Sequence, residues 1–301
     1  MRPRLLQDGP YRETFETDNG YRFHNGDRSI LIQTIAVGRP LSNRQKAAFV
    51  KASSDFLASI AGRPPVSRLN PRPLSSGDFP AVEDDLFYRF ATLDAAKHMR
   101  QGSFRLGTPR YYRSIGDSGR ADGLEGHAGL FLEGERKTFS CMAVVGFNCA
   151  TISGVSRLPR DKRTLRDMKQ KFGTTLVRIK SLAKFGAAIG AQLGAVAHAA
   201  MDIKYCDGKY MAIATNDLDD LVDRFGTGDL TEEKVHQINV RYWDALYQHI
   251  KLASIFSKPV SYSFERERRI MFELPGDSLE PFITVHLPDV LEHVEFIDDL
   301  S

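Results

Sequence analysis

Leu86-Phe-Tyr-Arg-Phe-Ala-Thr-Leu-Asp94 reads as a strand that turns directly into a helix. Phe87, Tyr88 and Phe90 suit a pleated surface, and Thr92 is a residue type that caps helix N-termini. The helix should end at Gly102, after which Ser103 to Leu106 resumes as a second strand. A later stretch, Tyr262-Ser-Phe-Glu-Arg-Glu-Arg-Arg-Ile-Met-Phe-Glu273, also reads as a strand. Alternation puts Glu265, Glu267 and Arg269 on one face of it and Phe264, Ile270 and Phe272 on the other. Two carboxylates on one strand face repel unless cations balance them. The Glu-x-Glu is therefore either a solvated face with Arg266, Arg268 and Arg269 as counter-ions, or a site that handles a developing positive charge.

Upstream, Asn19-Gly20 and Asn25-Gly26 separate stretches rich in β-formers, which predicts a small meander over residues 10–38. Ser42 and Gln45 form a capping box, Phe49, Phe56, Leu57 and Ile60 follow at helical spacing, and Gly62 is placed to stop the helix. Pro64, Pro65, Pro71, Pro73 and Pro80 then mark a linker. These signals divide the chain into a basic N-terminal accessory module (1–62), a Pro/Ser-rich linker (63–84) and a main domain (85–301). Downstream, Thr138 to Phe147 reads as a strand pair or one long buried strand, and a helix beginning at Thr231 runs through Trp243 and Tyr247. Strands and helices mix without a βαβ rhythm, so the fold class is α+β.

The chain of 301 residues carries 41 Lys+Arg against 38 Asp+Glu, a balance that excludes a polyelectrolyte; a nucleic-acid role would need a local patch. One such stretch lies between Arg157 and Lys184, where ten basic residues face only Asp161 and Asp167. Arg163, Arg166 and Lys169 are its candidates for nucleic-acid contact, against the plainer reading of a solvated helix face. The three cysteines, Cys141, Cys149 and Cys206, show no CxxC spacing, and the eight histidines show no ligand pair, so no metal is expected. Phosphate-loop, Rossmann, zinc-protease and serine-hydrolase motifs are absent from the sequence. The uncharged run Phe185 to Met201 is mostly Gly and Ala and too short and weakly apolar for a membrane span. With no export signal read at the N-terminus, a cytoplasmic location and no membrane partner are expected, delivery by a specialised secretion system staying open.

The Leu86–Asp94 block, followed by Met99-Arg-Gln-Gly-Ser-Phe-Arg-Leu-Gly107, resembles the opening of the bacterial family labelled domain of unknown function 2971. Tyr111-Tyr-Arg, Arg120-Ala-Asp with Glu125-Gly126, Phe139-Ser-Cys-Met142, Phe172 to Ile179, Ile203-Lys-Tyr205 and Lys258 to Arg269 look like that family's later blocks, in order. The resemblance covers about residues 86 to 300. The same opening is similar to that of ADP-ribosyltransferases, particularly DNA-modifying toxins, which place an Arg or His on the first strand and a catalytic Glu on a late one.

That resemblance implies a split sheet with flanking helices and NAD as substrate. It makes Glu267, Glu265 and Arg89 the catalytic candidates, and Arg89, Tyr88, Tyr111, Tyr112, Ser140 and Arg269 the cofactor-binding ones. Glu267 would stabilise the oxocarbenium-like cation, Glu265 would orient or deprotonate the acceptor, and Arg89 would clamp pyrophosphate or ribose. The middle Ser-Thr-Ser motif of the Arg-Ser-Glu type has Thr138-Phe-Ser140 as its nearest counterpart. A toxin or defence effector is the role this implies, with the acceptor, protein or nucleic acid, left open along with the oligomeric state. The alternatives are a catalytically silent nucleotide- or nucleic-acid-binding protein on the same fold, and a metal-dependent phosphodiester or nucleotide hydrolase using Glu265, Glu267, Asp122 and Glu125.

Overall fold

The computed structural model describes residues 13–17, 20–25, 28–60, 72–82, 86–114, 125–147, 149–226, 231–275 and 280–298. Gly62, the first part of the linker, Arg120 and Asp122 lie outside them. The fold is mixed α+β. It divides into two compact units, each assembled from three stretches of chain. The first comprises Met1–Asp78, Ala121–Phe147 and Cys206–Pro259, and the second Phe79–Arg120, Asn148–Tyr205 and Val260–Ser301.

In the first unit the meander forms as expected: Glu13–Thr17 pairs with Gly20–Asn25, which pairs with Arg28–Gly38. It does not stand as a separate module. Arg28–Gly38 is 11 residues long and pairs along nearly all its length with Thr138–Phe147, a single strand rather than two. His127–Glu133 and then Tyr210–Ala214 complete a six-stranded sheet, the last pair being parallel. A long strand with Ile30 and Ile32 fully buried needs a partner on its second edge, and among the described residues that partner is Thr138–Phe147, outside residues 1–62.

The helix Asn43–Ile60 starts on the predicted capping box: Gln45 Nα donates to Ser42 Oγ at 3.4 Å, and Ser42 Nα donates to Gln45 Oε1 at 2.9 Å. Its Ala47 and Val50 cover the sheet face bearing Phe131, Met142 and Tyr210. The other face, with Leu130, Leu132 and Phe139 fully buried, takes the helix Glu232–Ile255. The described part of the linker is anchored rather than loose, because it carries apolar residues. Leu74 is buried and bridges to Met211, while Arg72 pairs with Asp78 at 3.2 Å.

The helix Glu232–Ile255 breaks at Tyr242 (φ −114°, ψ 16°). Asp217 fastens the break, accepting from Tyr242 Oη at 2.6 Å and from Arg241 Nε at 2.7 Å. These bonds, Tyr242 first, hold the Asp217 carboxyl below the usual carboxylate range. Its stabilising effect is fully present above the unfolded aspartate value of about 3.9 and is lost as the pH falls through the lower folded value. Thermal melts of Asp217→Asn should accordingly show a flatter acid limb below about pH 4 than the parent chain. Equal acid slopes would show that the carboxylate contributes nothing there.

In the second unit one sheet runs in the order Ala197–Asp202, Glu267–Glu273, Cys149–Val155, Phe87–Ala91, Thr175–Ile179 and Val294–Ile297. Cys149–Val155 meets two strands on its outer edge: Phe87–Ala91 at its Val155 end and Ser103–Gly107 at its Thr151 end. Ser103–Gly107 in turn pairs with Phe282–His286. The opening behaves as predicted, with Thr92 Oγ1 accepting from Ala95 Nα at 3.2 Å to cap the helix Leu93–Arg100. One sheet face packs Phe87, Ile152, Ile270 and Phe272 against Ala96 and Met99 of that helix and against Phe185 and Ile189 of Leu182–Leu193. On the other face, Phe90, Val155 and Leu176 pack under Met168 of the helix Lys162–Phe172. The Gly/Ala run is thus a close-packed helix followed by a strand, and no helix among the described residues is long and apolar enough to cross a membrane.

Candidate functional site

The strand predicted for residues 262–273 begins only at Glu267. Val260–Glu265 is a 3-10 helix, and Arg266 between the two takes a left-handed conformation (φ 47°). A non-glycine residue there breaks the alternation on which the Glu-x-Glu reading rested. Glu265 is therefore not on the strand face of Glu267. It is buried and paired with Lys171 Nζ at 2.7 Å, and Lys171 lies within 4.9–5.9 Å of the ring centres of Phe172, Phe264 and Tyr262. A lysine of the helix Lys162–Phe172 is thus a counter-ion of this carboxylate.

Glu267 and Arg269 do share a face. Arg269 Nε donates to Glu267 Oε1 at 3.0 Å, with side-chain exposures of 1% and 5%. Arg268 points the other way, to Asp202 Oδ1 at 2.6 Å and to the Leu86 carbonyl at 2.8 Å. Glu267 Nα donates to Tyr205 Oη at 2.7 Å, which fixes the start of the strand.

Ladder register then identifies what stands beside this pair. Glu267 lies opposite Val155, Arg269 opposite Ser153 and Met271 opposite Thr151, all on one face. Two strands share the outer edge of Cys149–Val155, and they leave a gap beside Ser153. Arg89 fills it, Nη1 donating to the Ser153 carbonyl at 3.1 Å. Burial pulls the Arg89 guanidinium below the ordinary arginine range, while Tyr112 and Glu267 act to restore it. Ser153 Oγ is shielded from solvent and has no hydrogen-bond partner among the described residues. Tyr112 joins the same face because Gly107, opposite Thr151, has no side chain: a Cβ there would sit 2.7 Å from the tyrosine ring. Arg269 lies 5.7 Å from the Tyr112 ring centre.

Arg89, Tyr112, Glu267 and Arg269 lie near one another, whereas Glu265, expected beside Glu267 and Arg89, is on a different element. Ser140 is not among them: it is buried in the first unit's sheet, opposite Phe131 and Ala36. Tyr88 stands opposite Val155, in the same row as Glu267, and packs against the apolar cluster of Phe90 and Met168. Tyr111 turns toward Phe282, its ring centre 6.4 Å away. The residue that sequence reasoning missed is Ser153. Its signal, Thr151-Ile-Ser153 in the strand after Thr138–Phe147, was legible only as one more alternating pair of hydroxyls.

Arg163 and Arg166 are exposed on the helix Lys162–Phe172, and Lys169 is partly exposed at the edge of the face that carries Leu165, Met168 and Phe172. If this stripe holds polyanions, single-stranded DNA binding should fall steeply between 50 and 200 mM salt, roughly tenfold or more, and neutralising all three residues should flatten the slope. Binding that ignores salt would remove nucleic acid from the partners. Glu265 and Glu267 each already carry a cation, Glu125 belongs to the first unit, and the described residues contain no group of three or more metal-ligating side chains. The buried Cys141 thiol is pushed up to about 12 by burial, so its sequence neighbourhood does not make it a nucleophile. Comparison with family models, with curated proteins and with solved structures gives no match for this chain.

Proposed function

We propose that the second unit is an ADP-ribosyltransferase-like domain that binds NAD and cleaves its nicotinamide–ribose bond. The observation that carries this reading is the order of three adjacent strands in one sheet: Arg89 on the first, Ser153 on the middle one and Glu267 on the last. In that order Ser153 takes the middle place of the Arg-Ser-Glu pattern, in place of Ser140. Cleavage builds positive charge on the ribose, and a carboxylate held in a desolvated cleft stabilises that charge more in the transition state than in the ground state. Glu267 is a buried carboxylate, fixed by Arg269 so that it needs no reorganisation as the charge develops. Arg89, at the gap beside Ser153, offers a fork for pyrophosphate or ribose. Tyr112 supplies a ring at the same place for the nicotinamide.

A second reading, binding without cleavage, is favoured by one observation: Glu267 and Arg269 neutralise each other, and both are almost fully buried. Incubation of the full chain with NAD separates the two. The first reading expects released nicotinamide, undiminished by EDTA; the second expects calorimetric NAD binding with none released. Release abolished by EDTA would favour the metal-dependent alternative, and neither binding nor release would end both readings.

A further inference from the structure

The face that carries Glu267, Arg269 and Ser153 continues outward through Ser103–Gly107 to Phe282–His286. Gly107 stands opposite both Thr151 and Phe282, and Arg105 opposite Thr284. On this outer ribbon Arg105 is exposed, and its guanidinium carbon lies 3.5 Å from the centre of the Phe282 ring, the separation of stacked planes. Phe282 is itself 39% exposed. Tyr111 closes one side, 5.5 Å from Arg105 and edge-on to Phe282. Among the described residues no carboxylate pairs with Arg105, although nearby surface arginines are paired, Arg100 with Asp298 and Arg178 with Glu295. Tyr111 also touches Tyr112, ring centres 5.5 Å apart, and Tyr112 neighbours Arg269.

We infer that Arg105, Phe282 and Tyr111 form a nucleoside-diphosphate subsite, in which the outer face of the guanidinium stacks on a base and its N–H groups hold phosphate. An unpaired arginine pre-oriented on an aromatic plane loses little side-chain freedom when a second planar, anionic group arrives. An apolar or cationic ligand would leave that charge unused. Two strand spacings, about 10 Å, separate the strand of Arg105 from that of Glu267, and three, about 14 Å, separate that of Phe282 from it. A dinucleotide spans that interval, with Tyr112 at its nicotinamide end and Tyr111 toward Arg105. The identity of the nucleotide as the adenosine half of NAD rests on the reading above; the binding chemistry does not.

The test is calorimetric titration of the full chain with ADP. Arg105→Gln and Phe282→Leu should each weaken binding by about tenfold or more, the factor that 1.4 kcal/mol represents. Lys97→Gln, on the exposed side of the helix Leu93–Arg100, should bind as the parent does, and melting curves will show that the variants fold. Nicotinamide mononucleotide should bind independently of Arg105. Undetectable ADP binding, or equal affinity in the parent and Arg105→Gln, overturns the subsite. ADP binding that needs Arg105, in a chain that releases no nicotinamide from NAD, leaves this subsite standing and removes the cleavage reading. Nicotinamide release with an unchanged KM for NAD in Arg105→Gln does the reverse.

Discussion

Glu267→Gln is expected to lower nicotinamide release from NAD by on the order of 100-fold or more, the scale of losing one electrostatic stabiliser aimed at a developing charge. The substitution keeps the shape of the side chain and can still accept from Arg269 Nε. It removes the negative charge, however, and leaves a guanidinium 1% exposed without its nearest counter-charge. The loss must therefore be read as kcat on protein shown to be folded, below its melting transition. Arg89→Lys provides the comparison: it keeps a cation at the gap beside Ser153 but not the fork, so KM for NAD should rise more than kcat falls. Undiminished turnover in folded Glu267→Gln would end the transferase reading and return the pair to a structural role.

The second large effect is on stability. Arg269→Met should destabilise the protein by about 3–5 kcal/mol, the range found when one partner of a buried ion pair is removed and the other charge is stranded. The residue is among the largest fully buried side chains, and methionine retains much of its apolar volume, so lost packing contributes less than lost charge. The discriminating measurement is a double-mutant cycle in urea. Glu267→Gln with Arg269→Met should recover a substantial part of the loss, because neither member of the pair is then left charged. Strict additivity would show that the two groups are not coupled, and that solvent reaches them more freely than their exposures of 5% and 1% suggest. The exposed Arg178–Glu295 pair offers a reference, since such pairs contribute at most about 1 kcal/mol.

Glu265 and Glu267 are both buried, and it is the backbone that parts them. In sequence they are one strand period apart and equivalent. In the fold, the left-handed Arg266 ends the 3-10 turn, sends Glu265 to Lys171 and starts a fresh strand at Glu267. Strand propensity and alternation do not foresee a single residue of positive φ, particularly an arginine.

By itself the sequence determined what depends on residues a few positions apart. The capping box at Ser42 and Gln45, the caps at Thr92 and Thr231, the strand pairing of the meander, and the shared face of Glu267 and Arg269 all follow from local geometry. Alternation states which side chains share a face, but it does not state which strand comes next. That was decided by tertiary pairing. Arg28–Gly38 found the edge of Thr138–Phe147, which absorbed a supposedly separate module into a larger sheet and took Ser140 into its core. Cys149–Val155 came to lie between the strands of Arg89 and Glu267, which placed Ser153 between them. The physical reason is that a strand with buried side chains must satisfy two edges as well as two faces, and its partners on those edges are chosen by burial across the whole chain.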